Sequence, residues 1–531
     1  MGMNPGQEYD VVVVGGGHNG LAAAAYVARA GYSVAVLESQ PWVGGAAISA
    51  QSFDGVEAKL SRYSYLVSLM PQHIRDDLGL DISLIRRRYS SYTPLPGKDL
   101  GLLIDSMDSQ RTRESFEAIG AGDDYEKWVE FYRDTEIVAS TLFPTMTQPL
   151  LREHEIRTLL DKAAPGRGLF ERFIDTPIIR LVEDTFTHDV VRGVVLTDSL
   201  IGTFPETDSD PALNACFLYH VIGGGTGDWD VPVGGMGAVS AALEKSARDA
   251  GVTISTSSRV TLIVPNSHVE YVCNGVESRV NARLVIAGVS RDTLHRLAQL
   301  PTPAVKPEGA QVKVNLMLTR LPRLADTSVT PEEAFGGTFH INESASQLAS
   351  SLAQARSGQI PDVIPCEIYC HTLSDRSILG PELQAGLAQT LTVFALNVPH
   401  SLIAQQDPES ARSELESRVL ASLNSVLDEP IEDCMMRDSH GQVCIETKTT
   451  LDLESTVGLP GGNIFHEPLE MPFPPDHAPL HSPAQRWGVS SSIPGALIAG
   501  SSSRRGGGVS AIGGHNAAMA ALEILGSDAS R

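Results

Sequence analysis

The apolar positions cluster first in Tyr9-Asp10-Val11-Val12-Val13-Val14, a β-branched run too short for a helix, which predicts a strand buried on both faces. It leads into Gly15-Gly16-Gly17-His18-Asn19-Gly20. Leu21 to Ala30 then predicts a helix of good formers, stopped at Gly31 where a left-handed cap costs little. Ser33 to Leu37 predicts a second buried strand ending at Glu38.

From Asp108 to Thr187 the pattern turns helical, with Tyr125, Trp128, Val129 and Tyr132 on one apolar face. Ala238 to Ala250 predicts a helix ended by Gly251. Thr253 to Thr256 and Ser258 to Ile263 alternate like strands, and Leu284 to Gly288 reads as another buried strand. Strands follow at Val312 to Leu318, Glu367 to Thr372 and Thr390 to Leu396, then a helix from Pro408 to Leu427. Near the end come a strand, Gly495 to Gly500, a loop to Gly508 with three successive glycines, and a helix from Val509 to Leu525.

The fold class is α/β. With 531 residues the chain is too long for one core. We assign 1–75, 230–300 and 455–531 to a discontinuous nucleotide-binding domain, and 76–229 and 301–454 to an inserted α+β substrate or cap domain.

Composition narrows the function. Hydrophobic content of 42% and charged content of 20% are those of a globular protein. A net charge of −24 and a pI near 5.0 argue against nucleic acid as a partner. No apolar run reaches the ~20 residues of a membrane-spanning helix, and Met1 to Glu8 shows no secretory signal. The six cysteines form no C-x-x-C pair, so a redox disulfide is not expected and a reducing cytoplasm is. Cys366, Cys370 and His371 read as a strand, Ile364 to Leu373, with the cysteines on one face and His371 on the other, rather than a metal site. The basic run Arg86-Arg87-Arg88 reads as solvated, with peripheral contact to anionic lipid as the second reading.

The glycine turn carries the chemistry. Gly15 allows a tight turn, Gly17 lets the backbone approach a pyrophosphate, and Gly20 lets the helix pack on the strand. The pyrophosphate would sit at the helix N-terminus. Glu38 would accept from ribose hydroxyls and repel a 2′-phosphate. This motif alone does not choose FAD from NAD; Gly44-Gly45, just past the acid, resembles the glycine pair at which one large flavoprotein superfamily passes close to the FAD pyrophosphate and ribityl chain. Ala58 to Leu69 suits a segment between cofactor and substrate cavity. Gly223 to Gly237 is glycine-dense but follows no strand, so no second nucleotide site is read there. No nucleophile triad or carboxylate pair stands out. His220, His466 and His515 are loose candidates, and no catalytic residue is named.

Asp10 to Leu21, Val43 to Ala47, Ser61 to Leu66, Val233 to Leu243, Gly462 to His466 and Gly506 to Ala518 together resemble the FAD-dependent phytoene-desaturase-like oxidoreductases. The resemblance implies a Rossmann-like FAD-binding domain of the GR2 type. FAD would lie extended along Gly15, Gly17, His18, Asn19, Gly20, Gly44, Gly45 and Ala46. Its adenosine would be at Glu38, its adenine near the Val260 backbone, and its isoalloxazine near Gly500, Gly508 and Val509. Two departures stand out: Ala46-Ala47 replace an arginine that follows the glycine pair in amine oxidases, and Arg504-Arg505 replace a His-Pro. One of these arginines is expected to face the flavin or an acidic substrate group. The implied activity is hydride transfer between a C–H or C=C bond of an apolar substrate and flavin N5, with oxygen, a quinone or a protein as electron acceptor. The rivals are a carotenoid desaturase or ketolase, and an FAD-binding protein that acts through partners.

Overall fold

The valine run forms β1 (Glu8–Val14), and its apolar side chains are buried because strands flank it on both edges. The structure, a computed structural model, describes residues 8–303 and 305–529; the Met1 to Gln7 part of the segment read for a secretory signal lies outside them. Helix α1 (His18–Arg29) starts three residues earlier than its apolar pattern, so Gly17 becomes its N-cap. It ends at Ala30, and Gly31 follows with φ +93°. β2 (Val34–Leu37) pairs with β1 in parallel and completes the unit.

Along the chain come β3 (Tyr89–Pro94) and β4 (Gly101–Asp105), then a helical stretch that includes α2 (Gly122–Leu142), α3 (Asp189–Thr197) and α4 (Pro211–Val221). α5 (Met236–Asp249) leads to β5 (Thr253–Ser255), β6 (Ser258–Val264), β7 (His268–Cys273) and β8 (Val276–Ala287). Next are β9 (Val312–Leu318), β10 (Thr338–Ile341), β11 (Cys366–Tyr369), β12 (Gln389–Ala395) and β13 (Ile445–Lys448). β14 (Ala496–Ile498) and α6 (Ile512–Ala529) end the fold.

Two seven-stranded sheets result. The first runs β6-β7-β8-β1-β2-β5, with β14 also paired to β8. Its β8-β1-β2-β5 part and the β8–β14 pair are parallel. α1 packs between α6 and α5. A Cβ at Gly514 of α6 would overlap the Asn19 carbonyl, so glycine sets that approach. The second sheet runs β13-β9-β12-β11-β10-β3-β4, antiparallel except between β10 and β3. Among the described residues no helix is long and apolar enough to cross a membrane.

Two expected elements differ. The strand placed over Ile364 to Leu373 stops at Tyr369; Cys370 caps a short helix, His371–Ser374, whose His371 Nε2 lies 3.1 Å from Asp375 Oδ2. The final helix starts at Ile512 rather than Val509, because Ala511 takes φ +60° and the Ser510 hydroxyl accepts the Ile512 N–H.

Candidate cofactor and substrate cavity

A cavity of about 880 Å³ opens where β1, β8 and β14 end and extends to the second sheet. At its nucleotide end the glycine turn behaves as its spacing demands. Gly17 caps α1 without a side chain, leaving the first-turn N–H groups of the helix without an intrahelical acceptor. A Cβ at Gly17 would find only the Gly45 Cα, 3.9 Å away, so the position opens on free space. A Cβ at Gly20 would overlap the Gly15 carbonyl, which makes Gly20 a packing residue.

Glu38 closes this end. Its Oε2 accepts from the Gly16 N–H at 2.7 Å, and its Oε1 from the Gln40 N–H at 2.7 Å and the Ser39 hydroxyl at 3.1 Å. A carboxylate has about four acceptor sites, so capacity remains for a ribose hydroxyl. Free N–H groups at a helix end, an open glycine position and an acid with an acceptor site to spare fit a dinucleotide.

Of the residues expected at a cofactor, Gly15, Gly17, His18, Asn19, Glu38, Gly45, Ala46, Gly500, Gly508 and Val509 line this cavity. Gly20, Gly44 and Val260 do not. Gly44, at φ +120°, packs on Ser240, and Val260 pairs with Tyr271 inside the first sheet's core, leaving Arg259 beside it to line the cavity. His18 Nε2 lies 3.1 Å from the Gly508 carbonyl and ties the first turn to the last glycine loop. Burial pushes His18 and His466 down to about 4, so both are neutral near pH 7.

The remaining candidates separate. His466 lines the cavity with φ +69°, and His220 lines it stacked on Trp229. His515 does not; it packs edge-on against Tyr26, His73 and Trp487. Neither arginine of the 504–505 pair reaches the cavity, contrary to expectation. Arg505, 2% exposed, donates to the carbonyls of Thr145, Gln148 and Trp487. Arg504 pairs with Glu470 at 2.7 Å beside a separate cleft of about 280 Å³. The basic run is solvated at two of its three positions, since Arg86 and Arg88 are exposed. Arg86 pairs with Asp230 and Arg88 with Asp105, while Arg87 enters the cavity wall, donates to Thr338 Oγ1 at 3.2 Å and lies 5.6 Å from the Tyr369 ring centre.

Opposite the glycine turn the wall is one face of the second sheet. His340 on β10 pairs across to Glu367 on β11, Glu367 to Phe394 on β12, and Phe394 to Lys313 on β9. All four side chains line the cavity, with Thr338 and Tyr369 in the adjoining row. Lys313 donates to the carbonyls of Ser61 at 2.7 Å and Ser64 at 3.1 Å, and burial pushes its pKa down to about 7. The sequence carries a signal for this row that motif reading passes over. Polar residues alternate with core residues in Val312-Lys313-Val314-Asn315-Leu316, Thr338-Phe339-His340-Ile341 and Cys366-Glu367-Ile368-Tyr369.

A strand–glycine turn–helix–strand unit that opens on a cavity walled by a second sheet defines a dinucleotide-binding protein of the two-sheet class. The family model for FAD dependent oxidoreductases matches residues 10–93. An uncharacterised protein of Mycobacterium tuberculosis is 49% identical over 531 residues, covering 98% of each chain. Pyridine nucleotide-disulfide oxidoreductase domain-containing protein 2 of Rattus norvegicus is 28% identical, covering 96% of this chain and 93% of the relative. Among solved structures, a redesigned putrescine oxidase shares the fold at a TM-score of 0.56 and 16% identity, covering 98% of this chain and 100% of the other. The chain belongs to the FAD-dependent oxidoreductases, and its cofactor is FAD.

Proposed function

We propose that this oxidoreductase binds a substrate with an apolar body and one hydrogen-bonding group against the β9–β12 face, and oxidises or reduces it at a C–H or C=C bond. The observation that carries the reading is the continuity of one cavity from Glu38 and the glycine turn to the Lys313–Phe394–Glu367–His340 row. FAD, when bound, supplies hydride acceptance or donation at its N5.

The chain's residues would do the rest. The α1 N-terminus with Gly15 and Gly17 would hold the pyrophosphate, and Glu38 the adenosine ribose. Gly45, Ala46, Gly500, Gly508 and Val509 would flank the rest of the cofactor, and His18 and His466 would meet it uncharged. We assign 1–75, 230–300 and 455–531 to holding the cofactor, and 76–229 and 301–454 to covering the substrate. Trp128, Tyr132, Val194, Ile201 and Phe394 would pack the apolar part and exclude water.

This lining weighs against a carotenoid substrate. A polyene has no group to bond with Arg87, Lys313, His340 and Glu367, so it would gain nothing from these four polar side chains of the wall. The test is anaerobic bleaching of the flavin by a panel of alcohols, amines, hydroxy acids and an apolar polyene. Bleaching by a member with a polar group supports the reading. Bleaching by the polyene alone would favour a desaturase. A flavin reduced only by dithionite would favour a protein acting through partners.

A further inference from the structure

Two buried carboxylates, a half-buried one and a buried histidine converge at the substrate wall of the cavity. Asp198 follows α3, His340 lies on β10, Glu343 comes three residues later, and Glu367 lies on β11. His340 Nδ1 is 2.6 Å from Glu343 Oε2 and 3.9 Å from Glu367 Oε1. Glu367 accepts from the Thr197 hydroxyl at 3.2 Å and the Tyr369 hydroxyl at 2.8 Å. Glu343 Oε1 is buried with no hydrogen-bond partner. Asp198, His340 and Glu367 face the cavity, and Glu343 sits behind them.

Such a group cannot carry three negative charges out of water, so it must hold protons or a cation. His340, Glu343 and Glu367 offer ligand atoms within 4.8 Å of one another, as a metal site would. The spacing argues otherwise. Two ligands of one ion stay roughly 3 Å or more apart, given metal–ligand bonds of about 2.0–2.2 Å. A 2.6 Å Nδ1–Oε2 separation is that of a proton shared in a charge-assisted hydrogen bond.

The neighbours agree with a proton store. Burial, then the Glu343 charge, pushes Glu367 up to about 8, and burial raises Asp198. Burial pulls His340 down, but the Glu343 and Glu367 carboxylates outweigh it and the net shift is upward. His220 and Cys216 on α4 and Tyr369 on β11 also face this group. Arg87 lies over the Tyr369 ring, and Lys313 stands at the far end of the row.

We propose that Glu367 is the acid–base residue of the substrate cavity, with Glu343 as the positioning residue that holds a proton on it and His340 as the one that sets how readily that proton leaves. This rests on reading the cavity as the substrate site. In the oxidising direction a substrate C–H bond would break and its electron pair would leave with the hydrogen as hydride, which bound FAD would accept. The neighbouring O–H, N–H or C–H bond breaks and its proton passes to the Glu367 carboxylate, while its electrons form the new double bond. The substrate loses two electrons and two hydrogens. In the reducing direction the protonated carboxyl returns the proton.

The experiment uses the holoenzyme, Glu367→Gln and His340→Gln, and needs no substrate. Infrared difference spectra against pH should show a carboxylic acid C=O stretch that disappears near pH 8 in the wild type. That component should be missing in Glu367→Gln and titrate at higher pH in His340→Gln, where a positive neighbour is lost. The midpoint potential of bound FAD should fall more steeply with pH above 8 in the wild type than in Glu367→Gln, because the negative charge gained on reduction raises the Glu367 pKa and draws one more proton onto it. No such band in the wild type, the same band in Glu367→Gln, or superimposable potential–pH curves would overturn the proposal. So would one Zn²⁺ retained per wild-type chain after soaking and dialysis and lost in Glu367→Gln. If the protein neither contains nor takes up FAD, the assignment of the cavity to FAD and substrate fails instead, and the infrared band still decides the protonation of Glu367.

Discussion

Glu38 is 7% exposed and takes hydrogen bonds from two backbone N–H groups and a hydroxyl while facing the cavity. It therefore braces the glycine turn and presents a charge to the nucleotide at once. A hydrogen bond to a charged group contributes about 1.5–3 kcal/mol, so Glu38→Ala should weaken FAD binding by roughly 10–100-fold. Quenching of FAD fluorescence on titration into apoprotein measures this, and unchanged affinity would remove Glu38 from the site. Arg505 teaches the opposite lesson. Its place beside a glycine loop suggests a cofactor contact, yet it joins carbonyls from segments as far as 360 residues away in sequence. Main-chain partners leave no sequence signal, and so the residue could not be placed from the chain alone. Arg505→Met should lower stability by about 3 kcal/mol, since it leaves buried carbonyls without donors. Denaturant unfolding measures that loss, and the flavin potential of the folded variant should stay put.

At the scale of elements, β1, α1 and β2 were legible because periodicity, glycine turn and terminal acid agree. Val312 to Leu318 was legible for its boundaries but not for its task. Lys313 and Asn315 alternate with core residues, yet only the neighbouring strands show that this polar face is a cavity wall rather than a solvent face. The start of α6 was misplaced because Val509 to Ala511 are compatible with helix; the Ser510 cap and the left-handed Ala511 decide it. Lys313 yields a pH prediction for the β9 element. Burial lowers its folded pKa from 10.5 to about 7. Between those values the unfolded chain binds more protons than the folded one, so stability should rise with pH across the window. In Lys313→Met that rise should be absent from the difference in unfolding free energy measured at pH 7 and pH 10.5; an equal rise in both proteins would place Lys313 in a more solvated site.

At the scale of the molecule, the first sheet draws strands from three separated stretches of chain and the second closes over the cavity from two others. The first set was recognisable from its motifs. The convergence of Asp198, His340 and Glu367 was not, since Thr197 and Glu367 are 170 residues apart and no local pattern joins them. The central claim is that the space above Gly17 receives the FAD pyrophosphate. Gly17→Ala tests it, because its Cβ would meet only Gly45 Cα at 3.9 Å and so should leave the protein fold intact. The measurement is FAD released per folded chain, with thermal melting of the apoproteins as the control for folding. The wild type should release about one FAD per chain and Gly17→Ala little or none, with matching apoprotein melting curves. Equal FAD content in the two proteins would contradict it.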